Sequence, residues 1–399
     1  MSLLPIAPPA TIGILGGGQL GRMLALAARS MGYRIAILDA DEECPAAAIA
    51  DHHVLAGYDD VGAASRLADL SDVVTYELEH VALDLVDALA EVVPVRPGRR
   101  PLQVTQDRIA ERRFVEEAGA AVAPWREIRT TDDLRHAAVE VGLPLRVKAT
   151  TGGYDGRSQI RVGAAADLDG ALERLGRPAG EVVLAEAEMA FDSEVSIIVA
   201  RGPDGRSATF PLARNTHDNG ILVESVAPAP VPGEIAERAA RLCEDLARRM
   251  DAIGTLTAEL FLMPDGQLVV NELAPRVHNS GHWTIEGAAT SQFEQHIRAI
   301  CGLGLGSTVA LAPSAMVNLL GTGRPRPARL QARGAGPALT DPAVHLHLYD
   351  KRRVFERRKM GHLTAIGSSL EDALDRARAA AEQLCWADDP LKGGKEGQP

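Results

Sequence analysis

Two glutamates, Glu259 and Glu272, flank the turn sequence Pro264-Asp265-Gly266 and are the residues best suited to chemistry. The segments on either side alternate apolar and polar residues, which predicts a β-hairpin. A two-residue turn centred on Asp265-Gly266 places the two glutamates directly opposite each other, with Cβ atoms roughly 5 Å apart. Two carboxylates this close are unfavourable unless one is protonated or a cation lies between them. The hairpin therefore predicts a divalent-cation site, with oxygen-preferring Mg²⁺ as the candidate.

Two other interpretations of this hairpin remain open. One glutamate could lie on an exposed face beside a lysine, or the strand register could slip by one residue. The segment after the second strand favours the cation site, because residues 274–282 place Arg276, His278 and Asn279 in a loop bounded by proline and glycine. Cations and amide donors beside a metal–carboxylate pair suit an anionic substrate or a phosphoryl group.

Length and composition limit the classes of protein. The 399 residues suffice for two or three domains. The formal charge of −12 indicates that nucleic acid is not a partner. Cys44, Cys243, Cys301 and Cys385 have neither metal-ligand nor disulfide spacing, which indicates a reducing cytoplasm. We find no signal-peptide pattern and no apolar run of about 18 residues, so we expect no membrane association.

The N-terminal segment predicts a βαβ unit with a glycine-rich loop. A strand over 11–15 precedes the loop GGGQLG, a helix ended by Gly32, and a second strand ending at Asp39. The glycines and the acid about 20 positions later match a dinucleotide fingerprint, so an NAD-dependent oxidoreductase is one interpretation. The same glycines suit any close backbone approach at a helix N-terminus. Glu77 and Glu79, at the end of a later strand, could bind a ligand or lie in solvent.

Lys148 and the glycine-rich loop after it predict a phosphate clamp that is not a Walker A motif. Lys148 ends a strand over 143–148, and the loop over 150–158 leads to a return strand over 159–162. The loop amides can fold over phosphates while the ammonium neutralises them. An ordinary hairpin with an exposed lysine is the alternative. A later apolar strand, over 182–189, is suited to stacking an adenine, and Glu194 beyond it could hold ribose hydroxyls.

Four further segments carry predictions that the structure can test. Residues 106–119 predict a helix whose basic residues mostly solvate the surface, and residues 214–217 predict a loop. Residues 283–302 predict one long helix. The basic cluster at 357–362, with Lys351 nearby, could hold a phosphate monoester or be a solvated run of charge.

Together these stretches resemble the ATP-grasp superfamily, and within it the enzymes that carboxylate an aminoimidazole ribonucleotide. The matching stretches follow in order along nearly the whole chain: GGGQLGRM (16–23), TYELEH (75–80), QDR (106–108), GGYDGR (152–157), EAEMAFDSEVS (186–196), NTHDNGIL (215–222), AELF (258–261), NELAPRVHNSGHWT (271–284) and RRKMGH (357–362). In this superfamily the N-terminal glycine loop helps to hold the acceptor substrate and does not bind NAD.

The resemblance implies an ATP-grasp fold of mixed α/β and α+β class. A Rossmann-like N-terminal domain would span residues 1–122, and a small central α+β lid domain would span residues 123–185. A larger C-terminal α+β domain, residues 186–399, would carry the metal site and a segment for the substrate phosphate. The implied assembly is a homodimer.

The resemblance also implies a role for each site residue. The residues implied for ATP are Arg108, Lys148, Gly153, Tyr154, Asp155, Gly156, Arg157, Glu186, Met189, Glu194, His217, Asn271 and Glu272. Those implied for Mg²⁺, with Mn²⁺ as an alternative, are Glu259 and Glu272. Those implied for the acceptor, 5-aminoimidazole ribonucleotide, are Gln19, Leu20, Glu77, Tyr154, Lys351 and Arg358. Those implied for catalysis at bicarbonate or carboxyphosphate are Arg276, His278, Asn279, Tyr154 and Asp155. Strict alternation would turn Asn271 away from Glu272, so the strand must bend or end there.

The implied reaction begins with phosphoryl transfer from ATP to bicarbonate, which yields carboxyphosphate and ADP. The exocyclic amine of the ribonucleotide then attacks carboxyphosphate, or CO₂ released from it, in a step of de novo purine biosynthesis. Three alternatives stay open. They are another ATP-grasp carboxylate–amine ligase, such as a formate-dependent glycinamide ribonucleotide transformylase, an NAD-dependent oxidoreductase, and a nucleotide-binding protein without catalysis.

Overall fold

The computed structural model describes residues 5–152, 158–177 and 180–387. Five residues predicted for ATP or catalysis lie outside the described residues: Gly153, Tyr154, Asp155, Gly156 and Arg157. No helix in the described ranges is long and apolar enough to cross a membrane.

The described α-helices are α1 Gln19–Ser30, α2 Val61–Asp69, α3 Leu83–Ala90, α4 Arg99–Thr105, α5 Arg108–Glu117, α6 Thr131–Glu140, α7 Ala171–Arg174, α8 Gly233–Met250, α9 Thr284–Gly287, α10 Gln292–Ile300, α11 Ala332–Ala338 and α12 Leu370–Gln383. Short 3₁₀ helices span Ala165–Asp167 and Asn279–Gly281.

The described strands are β1 Thr11–Leu15, β2 Arg34–Asp39, β3 His52–Leu55, β4 Val73–Tyr76, β5 Ala121–Val122, β6 Trp125–Ile128, β7 Leu145–Ala149, β8 Gln159–Val162, β9 Val183–Ala187, β10 Ser193–Arg201, β11 Ser207–Thr209, β12 Ala213–Asp218, β13 Ile221–Ala227, β14 Gly254–Leu262, β15 Leu268–Ala274, β16 Ser314–Leu320, β17 Arg326–Pro327, β18 Val344–Leu348, β19 Arg353–Val354 and β20 Lys359–Ile366.

The N-terminal sheet is parallel, with strand order β3-β2-β1-β4. Strands β1, β2 and β4 are short runs of mostly apolar residues that are almost entirely buried, as is typical of parallel strands covered on both faces. The helix α1 follows β1 directly and packs back on the sheet through Leu20, Leu24 and Ala28, which lie on one helical face. The glycine-rich loop therefore lies at the carboxyl end of β1, where parallel sheets bind ligands.

The central sheet is antiparallel, with order β6-β9-β7-β8. Ile128, Leu145, Val147 and Val162 form its core with helix α6. The helix begins at a capping box, in which Thr130 and a later aspartate satisfy each other's backbone N–H groups. The sheet carries the predicted Lys148 on β7.

A large sheet with order β18-β20-β16-β13-β12-β10-β14-β15-β5 forms the body of the C-terminal part, and β11 pairs with β10. The helix α8 covers one face of it with Ile235, Ala239, Cys243 and Leu246, whose three- and four-residue spacing forms one apolar stripe. The pairing is antiparallel except between β15 and β5.

The helix α5 and strand β5 pack with this large sheet, although the predicted boundary at residue 122 assigns them to the N-terminal domain. Phe114 and Val115 belong to the same core as α8, and β5 pairs with β15. The expectation that the basic residues of this helix mostly solvate the surface is wrong. Arg112 is fully buried and Arg108 is four-fifths buried, while Arg113 remains exposed. Arg112 is held by the buried Glu186 of β9 and by Glu111 of its own helix, and Arg108 pairs with Glu272 of β15.

The prediction of a loop over residues 214–217 is also wrong, because this segment is part of β12. The backbone of this segment pairs with β10 on one side and β13 on the other. The polar side chain of Asn215 is accommodated because its Oδ1 accepts a hydrogen bond of 2.7 Å from the Ser225 hydroxyl. Cross-strand pairing therefore overrides the loop-like composition.

The single helix predicted over residues 283–302 is two helices, α9 and α10, with an extended backbone at Ala288 between them. The second helix has its own cap, since the Ser291 side chain accepts the N–H of Glu294. The Thr284 hydroxyl accepts the N–H of Gln292 at 2.9 Å, and this bond links the two helices across the break.

The hairpin of β14 and β15 pairs Glu259 with Glu272, as predicted, but its turn and its strand register differ from the predicted ones. Its loop has three residues, because the N–H of Met263 donates to Gln267, and Gly266 adopts a positive φ of 82°. The predicted two-residue turn is therefore wrong by one position. The register then shifts by one residue between Glu259 and Leu260, which leaves Asn271 as a bulge. The one-residue difference at the turn and the one-residue shift at the bulge cancel, so Glu259 and Glu272 remain opposite each other.

Candidate active site

A cleft of about 1220 Å³ lies between the N-terminal glycine loop, the central sheet and the large sheet. Every predicted site residue that the structure describes lines it. These are Gln19, Leu20, Glu77, Arg108, Lys148, Glu186, Met189, Glu194, His217, Glu259, Asn271, Glu272, Arg276, His278, Asn279, Lys351 and Arg358. The individual roles implied for them stay predictions.

The paired glutamates lie on one face of the large sheet, where Ser196, Glu259 and Glu272 are successive neighbours across β10, β14 and β15. Burial raises the pKa of Glu259 to about 7, and the Glu272 charge adds to the rise while His217 opposes it. Burial also acts to raise the pKa of Glu272, but the charges of Arg108 and other cations hold it below its usual value. The Arg108 guanidinium is 3.3 Å from Glu272.

The donor set suits a hard cation only in part. The bulge brings the Asn271 amide to the cleft beside both carboxylates, which resolves the strict-alternation problem. Within the described ranges, no group of three or more His, Cys, Asp or Glu side chains is arranged to hold a metal ion. Mg²⁺ is commonly bound by one or two carboxylates together with waters and substrate phosphates, so Glu259 and Glu272 fit such an ion when a nucleotide is present.

A buried network of charges supports the phosphate end of the cleft. The Glu186 carboxylate is 3.1 Å from Lys148 Nζ and 3.2 Å from Arg112. Arg112 also binds Glu111 at 2.8 Å, and Glu111 accepts the backbone N–H of Leu273 on β15 at 2.7 Å. Burial lowers the pKa of Lys148, against the opposing effect of Glu186. The network connects α5, the central sheet and the strand that carries Glu272.

This network was not found from the sequence. The resemblance assigns Glu186 to the adenine, whereas its carboxylate in the structure is engaged by Lys148 and Arg112. Nothing in the local pattern around Arg112 distinguishes it from its exposed neighbour Arg113, because the partners of Arg112 include a residue 74 positions away.

The opposite wall of the cleft has an aromatic surface. The rings of Phe191 and Phe261 stack with centroids 4.6 Å apart and planes inclined by 4°. Glu194 forms an ion pair with His217 beside them. Burial opposes protonation of His217, but the Glu194 hydrogen bond raises its pKa above the usual value. Phe261 follows Glu259 by two positions, so strand alternation could have placed it on the same face.

The acceptor end joins the start of α1 to the segment 351–359. The Lys351 ammonium donates to Gln19 Oε1 at 2.7 Å and to the carbonyl of Lys359 at 2.6 Å. The Arg358 guanidinium lies over the Phe355 ring, 5.0 Å from its centroid. The predicted acceptor residues Gln19, Lys351 and Arg358 therefore lie on the same cleft, with cationic groups suited to a phosphate monoester.

The glycine loop uses its own N–H groups within the protein. Glu77 accepts the N–H of Gly18 at 2.6 Å and of Gly21 at 2.9 Å. The N–H of Gly17 donates to Asp39 at 2.7 Å. Burial raises the pKa of Glu77 to about 7, although these N–H bonds oppose the rise. A pyrophosphate would have to displace both carboxylates, which argues against the dinucleotide interpretation.

The loop after β15 is held from both sides of the cleft. The Arg276 guanidinium is 2.8 Å from Glu79, the second acid at the end of β4. Asn279 exchanges hydrogen bonds with Asn318 on β16, at 3.1 and 2.6 Å. His278 Nε2 is 3.1 Å from Glu259. The sequence pointed to Glu79, because two acids lie on one strand face, but it did not indicate that Arg276 is the partner of Glu79.

Three family models match this chain. The ATP-grasp domain matches residues 113–293, the ribonucleotide synthetase preATP-grasp domain residues 9–106, and the phosphoribosylaminoimidazole carboxylase C-terminal domain residues 314–376. The predicted ATP-grasp fold class is confirmed by these matches and by solved structures. The domain boundaries at residues 122 and 185 stay predictions.

Relatives match over most of their length. The N5-carboxyaminoimidazole ribonucleotide synthase of Bacillus subtilis is 42% identical over 364 residues, which cover 91% of this chain and 93% of that protein. The Staphylococcus aureus N5-carboxyaminoimidazole synthetase complexed with ADP is 33% identical, with a TM-score of 0.85, covering 96% of this chain and 100% of that one. The Aspergillus clavatus synthase, in complex with ADP and 5-aminoimidazole ribonucleotide, is 31% identical, with a TM-score of 0.85 and coverage of 94% and 98%.

The fold and the charged cleft are those of an ATP-dependent ligase built on the ATP-grasp domain. Within that class, the chain belongs to the N5-carboxyaminoimidazole ribonucleotide synthase family.

Proposed function

We propose that this protein carboxylates the exocyclic amine of 5-aminoimidazole ribonucleotide, using ATP and bicarbonate, with carboxyphosphate as the intermediate. The observation that carries the proposal is that one cleft holds both a phosphate end, built on Lys148 and Glu272, and a cationic acceptor end, built on Lys351. The Aspergillus clavatus relative, solved with ADP and 5-aminoimidazole ribonucleotide, supports this choice of substrates.

The cleft residues supply positioning and charge rather than covalent chemistry. Lys148 and Arg108 lie where they can neutralise the phosphates of ATP, since both line the cleft beside Glu272. Glu259 and Glu272 would hold Mg²⁺, which would supply positive charge to offset the negative charge that develops on the transferred phosphoryl group. Arg276 and Asn279, held by Glu79 and Asn318, would orient bicarbonate on the other side of the transferred group.

The test is ADP release in a coupled assay with purified protein. We expect release that requires both bicarbonate and 5-aminoimidazole ribonucleotide. Glu272→Gln should lower it about 100-fold while the far-ultraviolet circular dichroism stays unchanged, because the cation loses a ligand. Glu237→Gln, on an exposed face of α8, is the matched control and should retain activity. Release that instead requires formate and glycinamide ribonucleotide would identify the alternative ligase, and normal turnover by Glu272→Gln would overturn the metal assignment.

Three finer features belong to the same proposal. The metal is Mg²⁺, with Mn²⁺ able to replace it, because the donors are carboxylate and amide oxygens.

The protein works as a homodimer, which sedimentation velocity tests directly: a monomer at micromolar concentration would contradict it. The protein is cytoplasmic, which its four free cysteines support because they need a reducing compartment to stay free.

A further inference from the structure

His278 lies between Glu259 and two hydrogen-bonded serines. Its Nε2 is 3.1 Å from Glu259 Oε1, and its Nδ1 is 2.8 Å from the hydroxyl oxygen of Ser280. The Ser196 hydroxyl donates to that same Ser280 oxygen at 2.8 Å. Ser196 and Glu259 are direct neighbours across β10 and β14, so the serine pair and Glu259 are fixed relative to each other by strand pairing.

The contacts of Nδ1 determine which nitrogen of the His278 imidazole carries the hydrogen. The backbone N–H of Ser280 is 3.3 Å from Nδ1, and a backbone N–H can only donate, so Nδ1 is an acceptor. The Ser280 hydroxyl accepts from Ser196 and therefore has its own hydrogen to donate to the same Nδ1. A neutral imidazole with Nδ1 as the acceptor carries its hydrogen on Nε2. Nε2 is the nitrogen on the side of Glu259, 3.1 Å from its Oε1.

The surroundings leave little freedom for another arrangement. Ser196 is 2% exposed and Ser280 is fully buried, so bulk water has no access to replace either hydroxyl. Both ends of the Gln292 amide hold the His278 backbone, with Oε1 accepting its N–H at 2.9 Å and Nε2 donating to its carbonyl at 2.7 Å. The imidazole is thus fixed in place by its backbone and in tautomer by the two serines.

We propose that Ser280 and Ser196 are positioning residues that hold His278 as its Nε2–H tautomer. His278 then serves as a hydrogen-bond donor towards Glu259 and the anions beside it, and is not the base that takes the proton of the acceptor amine. Its only lone pair, on Nδ1, points away from Glu259 and is already covered by Ser280. The activity arm of the test below rests on the proposed function, whereas the spectroscopic arm does not.

The spectroscopic arm uses full-length protein labelled with ¹⁵N in its histidines, without substrates. Long-range ¹H–¹⁵N correlations distinguish the two tautomers, and His278 is assigned by the signals that disappear in His278→Gln. We expect an unprotonated Nδ1 and a protonated Nε2 in the native protein. In Ser280→Ala only the longer backbone N–H contact of 3.3 Å still faces Nδ1, so we expect a measurable share of the Nδ1–H tautomer to appear beside the native one. A protonated Nδ1 in the native protein would overturn the proposal, whatever the enzyme's substrates are.

The activity arm measures ADP release by Ser280→Ala and Ser196→Ala, with Ser314→Ala as control. Ser314 is equally buried, but among the described residues its hydroxyl bonds only a nearby carbonyl, that of Ala312. We expect kcat to fall about 10- to 100-fold in the first two variants, with the KM for ATP nearly unchanged, and the control to retain activity. Unchanged kcat in Ser196→Ala would contradict the proposal.

A double-mutant cycle separates positioning from a merely structural effect. If Ser280 acts through His278, adding Ser280→Ala to His278→Gln should lower the residual rate by less than about twofold. A full additional loss would mean that Ser280 acts independently of His278, and would overturn the proposal. Should Ser280→Ala fail to fold, Ser196→Ala in the same cycle carries the test. If the native enzyme does not respond to bicarbonate, the proposed function fails while the tautomer result stands.

Discussion

At the scale of single residues, the phosphate end of the cleft depends on charges that water does not reach. Arg112 has no exposed surface and binds both Glu111 and Glu186. Removing one member of a buried ionic group leaves its partners uncompensated, which costs far more than breaking an exposed pair. The adjacent Arg113 forms an exposed pair with Glu127, so the two neighbouring arginines allow a direct comparison.

Arg112→Met should lower the free energy of unfolding by about 3–5 kcal/mol, because Glu111 and Glu186 lose their shared counter-charge. Arg113→Met should lower it by less than about 1 kcal/mol. Urea unfolding followed by circular dichroism measures both values. Equal losses in the two variants would show that the Arg112 network contributes no more than a surface ion pair.

At the scale of elements, the end of β4 holds the loop between β1 and α1. Glu77 accepts two loop N–H groups, and the φ of Gly16, 102°, lets the backbone approach it closely. Any Cβ at Gly18 would lie 2.4 Å from a Glu77 oxygen, so the glycine is required by contact with this carboxylate. The fingerprint glycines therefore serve a carboxylate of the protein itself.

The pKa of Glu77 makes a specific prediction of pH dependence. Burial raises this pKa from 4.5 to about 7, so the folded protein retains a proton that the unfolded chain releases between those pH values. The contribution of Glu77 to stability is therefore complete below about pH 4.5 and is lost, by about 3 kcal/mol in all, as the pH rises through 7.

Glu77→Gln tests this directly. The difference in unfolding free energy between native protein and variant should shrink by about 3 kcal/mol from pH 4.5 to pH 8, measured by urea unfolding at each pH. Glu91→Gln, at the exposed end of α3, is the control and should leave the pH dependence of the native protein intact. A pH-independent difference for Glu77→Gln would contradict the assignment.

At the scale of the whole molecule, α10 joins the N-terminal sheet to the large sheet. Phe293, Ile297 and Ile300 on this helix share one core with Ile12 and Leu24. The buried His296 accepts the N–H of Thr255 on β14 at its Nδ1, and its Nε2 lies 2.8 Å from the Thr75 hydroxyl on β4. Both walls of the cleft are thereby fixed to one helix.

Thr75→Val should lower the free energy of unfolding by about 1–3 kcal/mol, because the Nε2–H of His296 is left buried without an acceptor. Thr105→Val is the matched control. In the part of the chain that the structure describes, the Thr105 hydroxyl bonds only carbonyls of its own helix, so the loss there should stay below about 1 kcal/mol. Thermal unfolding resolves the two, and a Thr75→Val variant as stable as the control would contradict a role for this bond.

The sequence by itself determined the features that depend on neighbours along the chain. Alternation and a turn signal located the Glu259–Glu272 hairpin, glycine spacing located the loop after β1, and an apolar run located Lys148 on its strand. The ordered motifs then carried the family resemblance. In the structure, these pieces line one cleft.

Only the tertiary structure decided how those pieces are supported. The bulge at Asn271 offsets the one-residue difference at the three-residue turn, so Glu259 and Glu272 still pair across the hairpin. Arg112 became a buried anchor for Glu186, and Ser196 became a partner of Ser280, because residues far apart in sequence came within hydrogen-bonding distance. Such contacts depend on how whole elements pack, and no local pattern of side chains encodes them.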